Sequence, residues 1–253
     1  LKDATLLTIG LSNLNLFVGA GASLGSNGVP VTSGAIGFSV QSGELGIAIV
    51  QANTLTSVGD NRSYLATSAS IGQAEFVGLP TDISIRAADI SVDINRASGV
   101  VPQSAPARAP PALNWTQAID IDGDGVFADT VTAGTRTIAL TSNFTGISGK
   151  LGLNAFNVLQ VFASFEMTIR TVDVDVNGDG LINPGSGART DLDDAQLLAI
   201  DLQFLQLNRA ADLNGDGLVN AADATIYDAL KPASVSGTPV LPGFFVGVPS
   251  LIV

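Results

Sequence analysis

The chain is 253 residues long, carries a formal net charge of −12, and has only 13% charged residues at a mean hydropathy of +0.39. It contains neither cysteine nor histidine, which excludes disulfides, thiolate metal sites, cysteine nucleophiles, the Ser-His-Asp arrangement and the commonest zinc ligand. Its 11 lysines and arginines are scattered, which argues against nucleic acid as a partner.

No charged leader region with a cleavage site precedes Leu1, so the expectation is a chain whose leader is already gone or an excerpt of a longer one. Apolar residues then alternate at Leu7, Ile9 and Leu11, and after Ser12-Asn13 the parity shifts to Leu14, Leu16 and Val18. Period two predicts a half-buried strand, and the shift predicts a bulge or a tight turn. Ile36, Phe38 and Val40 alternate in the same way, and Gln41-Ser42-Gly43 is predicted to turn the chain into Leu45, Ile47 and Ile49. Another strand follows through Leu65, Thr67, Ala69 and Ile71. Ile83, Ile85 and Ala87 then alternate on odd positions and Ile90, Val92 and Ile94 on even ones, which again predicts a bulge. Residues 101–113, with four prolines, predict a loop inside one β domain. Strands resume through Ile138, Leu140 and Phe144, through Ile147, Leu151 and Leu153, and from Leu159 to Ile169. No helical pattern of useful length precedes Asp194.

The acidic residues are concentrated late: 15 of 20 aspartates lie at or after Asp120. Asp212-Leu213-Asn214-Gly215-Asp216-Gly217-Leu218-Val219-Asn220-Ala221-Ala222-Asp223 places oxygen-bearing side chains at loop positions 1, 3, 5, 9 and 12 and a glycine at position 6. Ca²⁺ takes six to eight hard oxygen ligands, and a twelve-residue loop wraps it when alternate side chains point inward around a sharp glycine turn. The expected ligands are Asp212, Asn214 and Asp216, the Leu218 carbonyl, Asn220 through a water, and Asp223 with both carboxylate oxygens. Val219 fits a short β-bridge that pairs such loops. Upstream, Asp175, Asn177, Asp179, Leu181 and Asn183 repeat the first nine positions, after which an insertion leads to Asp191, Asp193 and Asp194. Asp194 is taken as the closing carboxylate because Asp194-Ala195-Gln196-Leu197 resembles Asp223-Ala224-Thr225-Ile226; Asp191 and Asp193 stay open as alternatives. A third loop offers Asp120, Asp122 and Asp124 and the Val126 carbonyl; its position 12 is Val131, so the closing carboxylate is Asp129 or comes from elsewhere. Leu197, Ile200, Phe204 and Leu207 predict a helix after the loop at 175, and Ala224, Ile226, Tyr227 and Leu230 predict one after the loop at 212, stopped by Pro232.

Two loop-then-helix units with Asp at the closing position resemble the duplicated segment of dockerin domains, over roughly residues 173–231. The resemblance implies calcium-dependent folding and, as a second function, docking onto a cohesin-like partner. Residues 12–19, 38–40, 113–125 and 161–165 together resemble a β-rich repeat module of very large secreted bacterial surface and adhesin-like proteins. That resemblance implies an extracellular, calcium-stiffened structural module whose copies stack or polymerise, and it supplies no catalytic residue.

The expected fold is therefore mainly β. A large antiparallel domain, sandwich or closed sheet, spans residues 1–172, and a small α-helical, dockerin-like calcium-binding appendage spans 173–232. An apolar extended segment, 233–253, either packs on its own sheet or is donated to a neighbouring subunit. No apolar run reaches the roughly 18 residues of a membrane helix. So charge-poor a surface is expected to be covered by copies of itself or adjacent modules. Glu44, Glu75 and Glu166 stand alone on strand patterns, and the aspartates are spaced for metal, so no enzyme is expected. Sequons at Asn61, Asn114 and Asn143 could carry glycans. A carbohydrate-binding β module is the weakest reading, because aromatics are only 6% of the chain.

Overall fold

The computed structural model describes residues 1, 3–53, 59–102, 108–182 and 191–247. In chain order its elements are β1 (Thr5–Ala20), β2 (Ser23–Leu24), β3 (Pro30–Val31), β4 (Ile36–Gln51), β5 (Ser63–Val77) and β6 (Ile83–Ser98). They continue with β7 (Val131–Ala133), β8 (Arg136–Ile138), β9 (Phe144–Ala155), β10 (Leu159–Val174), β11 (Leu192–Phe204), α1 (Ala221–Leu230) and β12 (Phe244–Val246). Seven strands make one antiparallel sheet in the order β1-β4-β5-β6-β9-β10-β11, and β12 pairs with the start of β10. The sheet is large, antiparallel and open: among the described residues β1 and β11 each have a strand on one side only. Small hairpins β2–β3 and β7–β8 stand apart from it.

The parity shifts in the sequence become bulges. Asn13, Ser42 and Asp89 adopt left-handed φ angles of 54°, 57° and 51°, a conformation that short polar side chains tolerate better than most. The registers Gln41↔Gln73 and Gly43↔Ile71, then Ile71↔Ile90 and Gln73↔Ala88, set Ser42, Gly72 and Asp89 side by side. With Asn13 on β1, the extra residues form one crease across four adjacent strands. Because the side-chain period is two, each insertion would swap the faces unless the apolar parity shifted with it. It does shift, so the apolar residues stay on one face on both sides of the crease. Above it runs the row Leu11↔Leu45↔Ala69↔Val92↔Ile147↔Met167↔Ile200. Below it runs Leu16↔Val40↔Ala74↔Ala87↔Leu151↔Ala163↔Phe204.

Two lids pack on the opposite face. Over one half, Trp115, Val131, Ala133 and Ile138 close on Ala48, Val50, Tyr64 and Ala66. Buried Asn95 ties this lid down: its side-chain amide donates to Leu113 O and Ser142 O at 2.8 Å each, and its Oδ1 accepts from Trp115 Nε1 at 3.0 Å. Over the other half, Ile226, Tyr227 and Leu230 of α1 pack with Leu207 and Leu241 on Ala88 and Phe162. Tyr227 donates its hydroxyl to Pro239 O at 2.6 Å, and Arg86 donates to Lys231 O at 2.6 Å.

Gly10 marks where the first lid touches the sheet. An added Cβ there would lie 2.3 Å from Gly134 N in the β7–β8 turn. Gly10→Val is therefore expected to destabilise by about 1–3 kcal/mol, the usual cost of overpacking, read as a lower urea midpoint. At the start of β5, Asp60 accepts Arg62 Nη2 at 2.6 Å and Arg62 Nε at 3.0 Å. The Arg62 guanidinium holds the Asp60 carboxyl below its usual range. A lowered folded-state value adds stability above the unfolded pKa, near 4, and loses it as pH falls through the folded value. Asp60→Asn should accordingly lower Tm by a few degrees at neutral pH and by progressively less below about pH 4.

Three expectations are corrected. The helix predicted from Leu197, Ile200, Phe204 and Leu207 is strand β11, because Leu198, Ile200, Leu202 and Phe204 also alternate and β10 pairs with eleven of the strand's thirteen residues. Only the second predicted helix forms, as α1, so the paired helical appendage is not present among the described residues. Gln41-Ser42-Gly43 is a bulge within the sixteen-residue β4, not a turn. The apolar segment after residue 233 supplies β12 to its own sheet, through Leu159↔Val246 and Val161↔Phe244. Of the proline-rich loop 101–113, residues 103–107 lie outside the described residues.

Candidate metal centre: three acidic loops

Each acidic loop sits at a junction between elements of the fold. Loop A, 120–129, follows the Trp115 turn and leads into β7. Loop B, from Asp175 to Asp191, joins β10 to β11, and loop C, 212–223, leads into α1.

One hydrogen-bond pattern recurs in all three. The first aspartate accepts from the backbone of the fourth and sixth loop residues: Gly123 and Gly125 to Asp120 at 2.7 and 3.1 Å, Gly178 and Gly180 to Asp175 at 2.6 and 2.7 Å, Gly215 and Gly217 to Asp212 at 2.7 and 2.8 Å. The third residue accepts from the fifth, in the pairs Asp122–Asp124, Asn177–Asp179 and Asn214–Asp216. The fifth accepts from the seventh, in the pairs Asp124–Val126, Asp179–Leu181 and Asp216–Leu218. The six glycines all have φ between 76° and 86°, which a side chain would resist.

The closing carboxylate returns to the amide of the second residue each time. Ile121 N donates to Asp129 at 2.5 Å, Val176 N to Asp191 at 2.9 Å, and Leu213 N to Asp223 at 2.6 Å. Loop B therefore closes on Asp191, which is 3% exposed, where the sequence reading placed Asp194. Local likeness to the residues after Asp223 pointed to Asp194, but β11 already begins at Leu192, and only the residue before it reaches back. Asp194 instead donates its own amide to Asp173 and stands in an exposed group with Asp173 and Asp193. Asn183 lies outside the described residues.

Carboxylate oxygens of Asp120, Asp122 and Asp129 lie within 4.8 Å of one another, as do those of Asp175, Asp179 and Asp191. Such spacing suits a shared cation, although exposed acidic groups are common without one. Loop C, the fullest match in sequence, is not among these convergent groups. There Asn214 and Asn220 donate their side-chain amides to Asp216 Oδ2 at 3.0 and 3.4 Å, and Asp223, the third residue of α1, is fully buried. Asp223 and Asn220 also form a capping box: Asn220 N donates to Asp223 at 2.8 Å, and Ala222 N donates to Asn220 at 2.7 Å. This satisfies amides that the first helical turn leaves without partners. The cap was legible as an asparagine three residues before an aspartate at the head of a helix, and the metal reading of Asn220 passed over it. Backbone donors, Asn220 first for Asp223 and Gly180 first for Asp175, hold these carboxyls below their usual range. Val219 is exposed, and the isolated bridge among the described residues is Leu207↔Leu241.

The salt bridges given among the described residues, such as Arg62–Asp60 and Lys150–Asp89, lie outside the loops. No described helix is long and apolar enough to cross a membrane. In comparisons with known proteins, no family model, no curated protein and no solved structure matches the chain.

Proposed function

We propose that the chain is a calcium-stiffened structural unit of an extracellular assembly, a fibre, sheath or adhesin, with no chemistry of its own. One observation carries this reading: three loops of different length build the same oxygen-rich turn and close it on the same amide. Loops A and B each bring three carboxylates to within reach of one shared cation. Ion binding then becomes folding free energy, and it locks the junctions that hold the two lids and the last strand on the sheet. Asp120, Asp122 and Asp129 would hold one ion, and Asp175, Asp179 and Asp191 a second. Asp212, Asp216 and Asp223 would hold a third once the Asn214 and Asn220 side chains rotate to offer oxygen. Docking onto a cohesin-like partner draws less support, since among the described residues the segment after loop B is strand β11 and not a helix. Calorimetric titration of chelator-treated protein with Ca²⁺ tests the proposal. Saturable binding of two or three ions is expected; absence of binding at millimolar Ca²⁺ overturns it.

A further inference from the structure

Among the described residues, no buried cluster covers the open face of the sheet with a second layer. Its buried cluster, Val40, Ala74 and Ile90, is packed only by other sheet residues, and both apolar rows run from edge to edge without a charge. Toward the margins the side chains are freely exposed, Ile9 at 44%, Met167 at 38% and Ile200 at 70%. An aliphatic face maintained through a four-strand crease is far larger than the scattered apolar residues of an ordinary surface.

We infer that a second copy of this chain covers it, face to face, as a two-fold sandwich. The inference deepens the structural-unit reading, on which it rests, by naming the surface and the partner. Area is the first reason. Seven strands about 4.8 Å apart and some 12–16 residues long at about 3.3 Å per residue present on the order of 1,400 Å². A stable interface needs about 800 Å² per partner. Charge is the second reason. At −12 the molecule is repelled by anionic lipid, and the Trp and Tyr that anchor proteins at membrane interfaces are absent from this face: Trp115, Tyr64 and Tyr227 are buried under the lids. Edge-to-edge addition alone would extend the bare face instead of covering it.

The native chain has no cysteine, so single-cysteine variants report the contact directly. Ala69→Cys, in the middle of the open face, should give a disulfide-linked dimer on mild oxidation, and Leu197→Cys, on the opposite face of β11, should not. Light scattering with Ca²⁺ should show a dimer. Ile9→Lys with Met167→Lys, both exposed in the single copy, should convert it to a monomer with an unchanged circular dichroism spectrum. A wild-type monomer that binds neutral or anionic vesicles through this face overturns the inference in favour of lipid. A wild-type monomer that binds Ca²⁺ yet still forms filaments by negative stain overturns it and spares the structural-unit reading, whereas a monomer with neither property removes both.

Discussion

Removing calcium should lower the melting temperature by about 5–10 °C for each occupied loop. An ion at 100 times its dissociation constant contributes about 2.7 kcal/mol, and for a chain of this size each kcal/mol moves Tm by about 2–4 °C. Single substitutions separate the loops. Asp191→Ala should abolish the calcium-dependent shift assigned to loop B, whereas Asp194→Ala should leave it intact, because Asp191 meets the Val176 amide and Asp194 faces Asp173. Asp223→Ala should behave differently again. It strips hydrogen bonds from Leu213, Asn214 and Asn220 at once, so it should destabilise the chain even in chelator. Differential scanning calorimetry of the three variants with and without Ca²⁺ decides among these outcomes. Equal shifts in Asp191→Ala and wild type would remove loop B as a site.

Trp115→Ala should be the most damaging single change, at about 3–5 kcal/mol for truncating a large buried aromatic. Trp115 is fully buried in the first lid cluster, and its loss leaves the Asn95 carbonyl without its indole donor. An unsatisfied buried acceptor adds its own desolvation penalty. Trp115→Phe keeps most of the volume and should cost markedly less, which separates packing from the hydrogen bond. Because Trp115 is the sole tryptophan, its fluorescence in the wild type reports release of this lid. Urea melts followed by fluorescence and by far-ultraviolet circular dichroism should coincide if lid and sheet unfold together.

The route from sequence to fold was readable wherever one residue's neighbours along the chain decide its state. Alternation announced the strands, and the parity changes at Asn13 and at Asp89 announced bulges, because a period of two leaves no other way to keep apolar groups together. The same rule misled at Ser42, where a glycine beside a polar pair reads as a turn although the strand continues through it. At Leu197–Phe204 three- and four-residue spacings coexist with alternation, and only the vacant edge of β10 settles the choice. In the loops, the residues from the first aspartate to the seventh position lie where spacing put them, since the first, third and fifth side chains accept hydrogen bonds from amides two to five residues further on.

By itself, then, the sequence determined a mainly β chain without histidine or cysteine chemistry, whose late aspartates form glycine-turned, oxygen-rich loops. These properties are local and compositional. Tertiary structure decided which aspartate closes loop B, that one strand replaces one helix, and that both lids share a single face of the sheet while the other stays apolar and open. Those outcomes depend on groups far apart in the chain meeting in space, and no spacing along the chain encodes which of several competing partners arrives first.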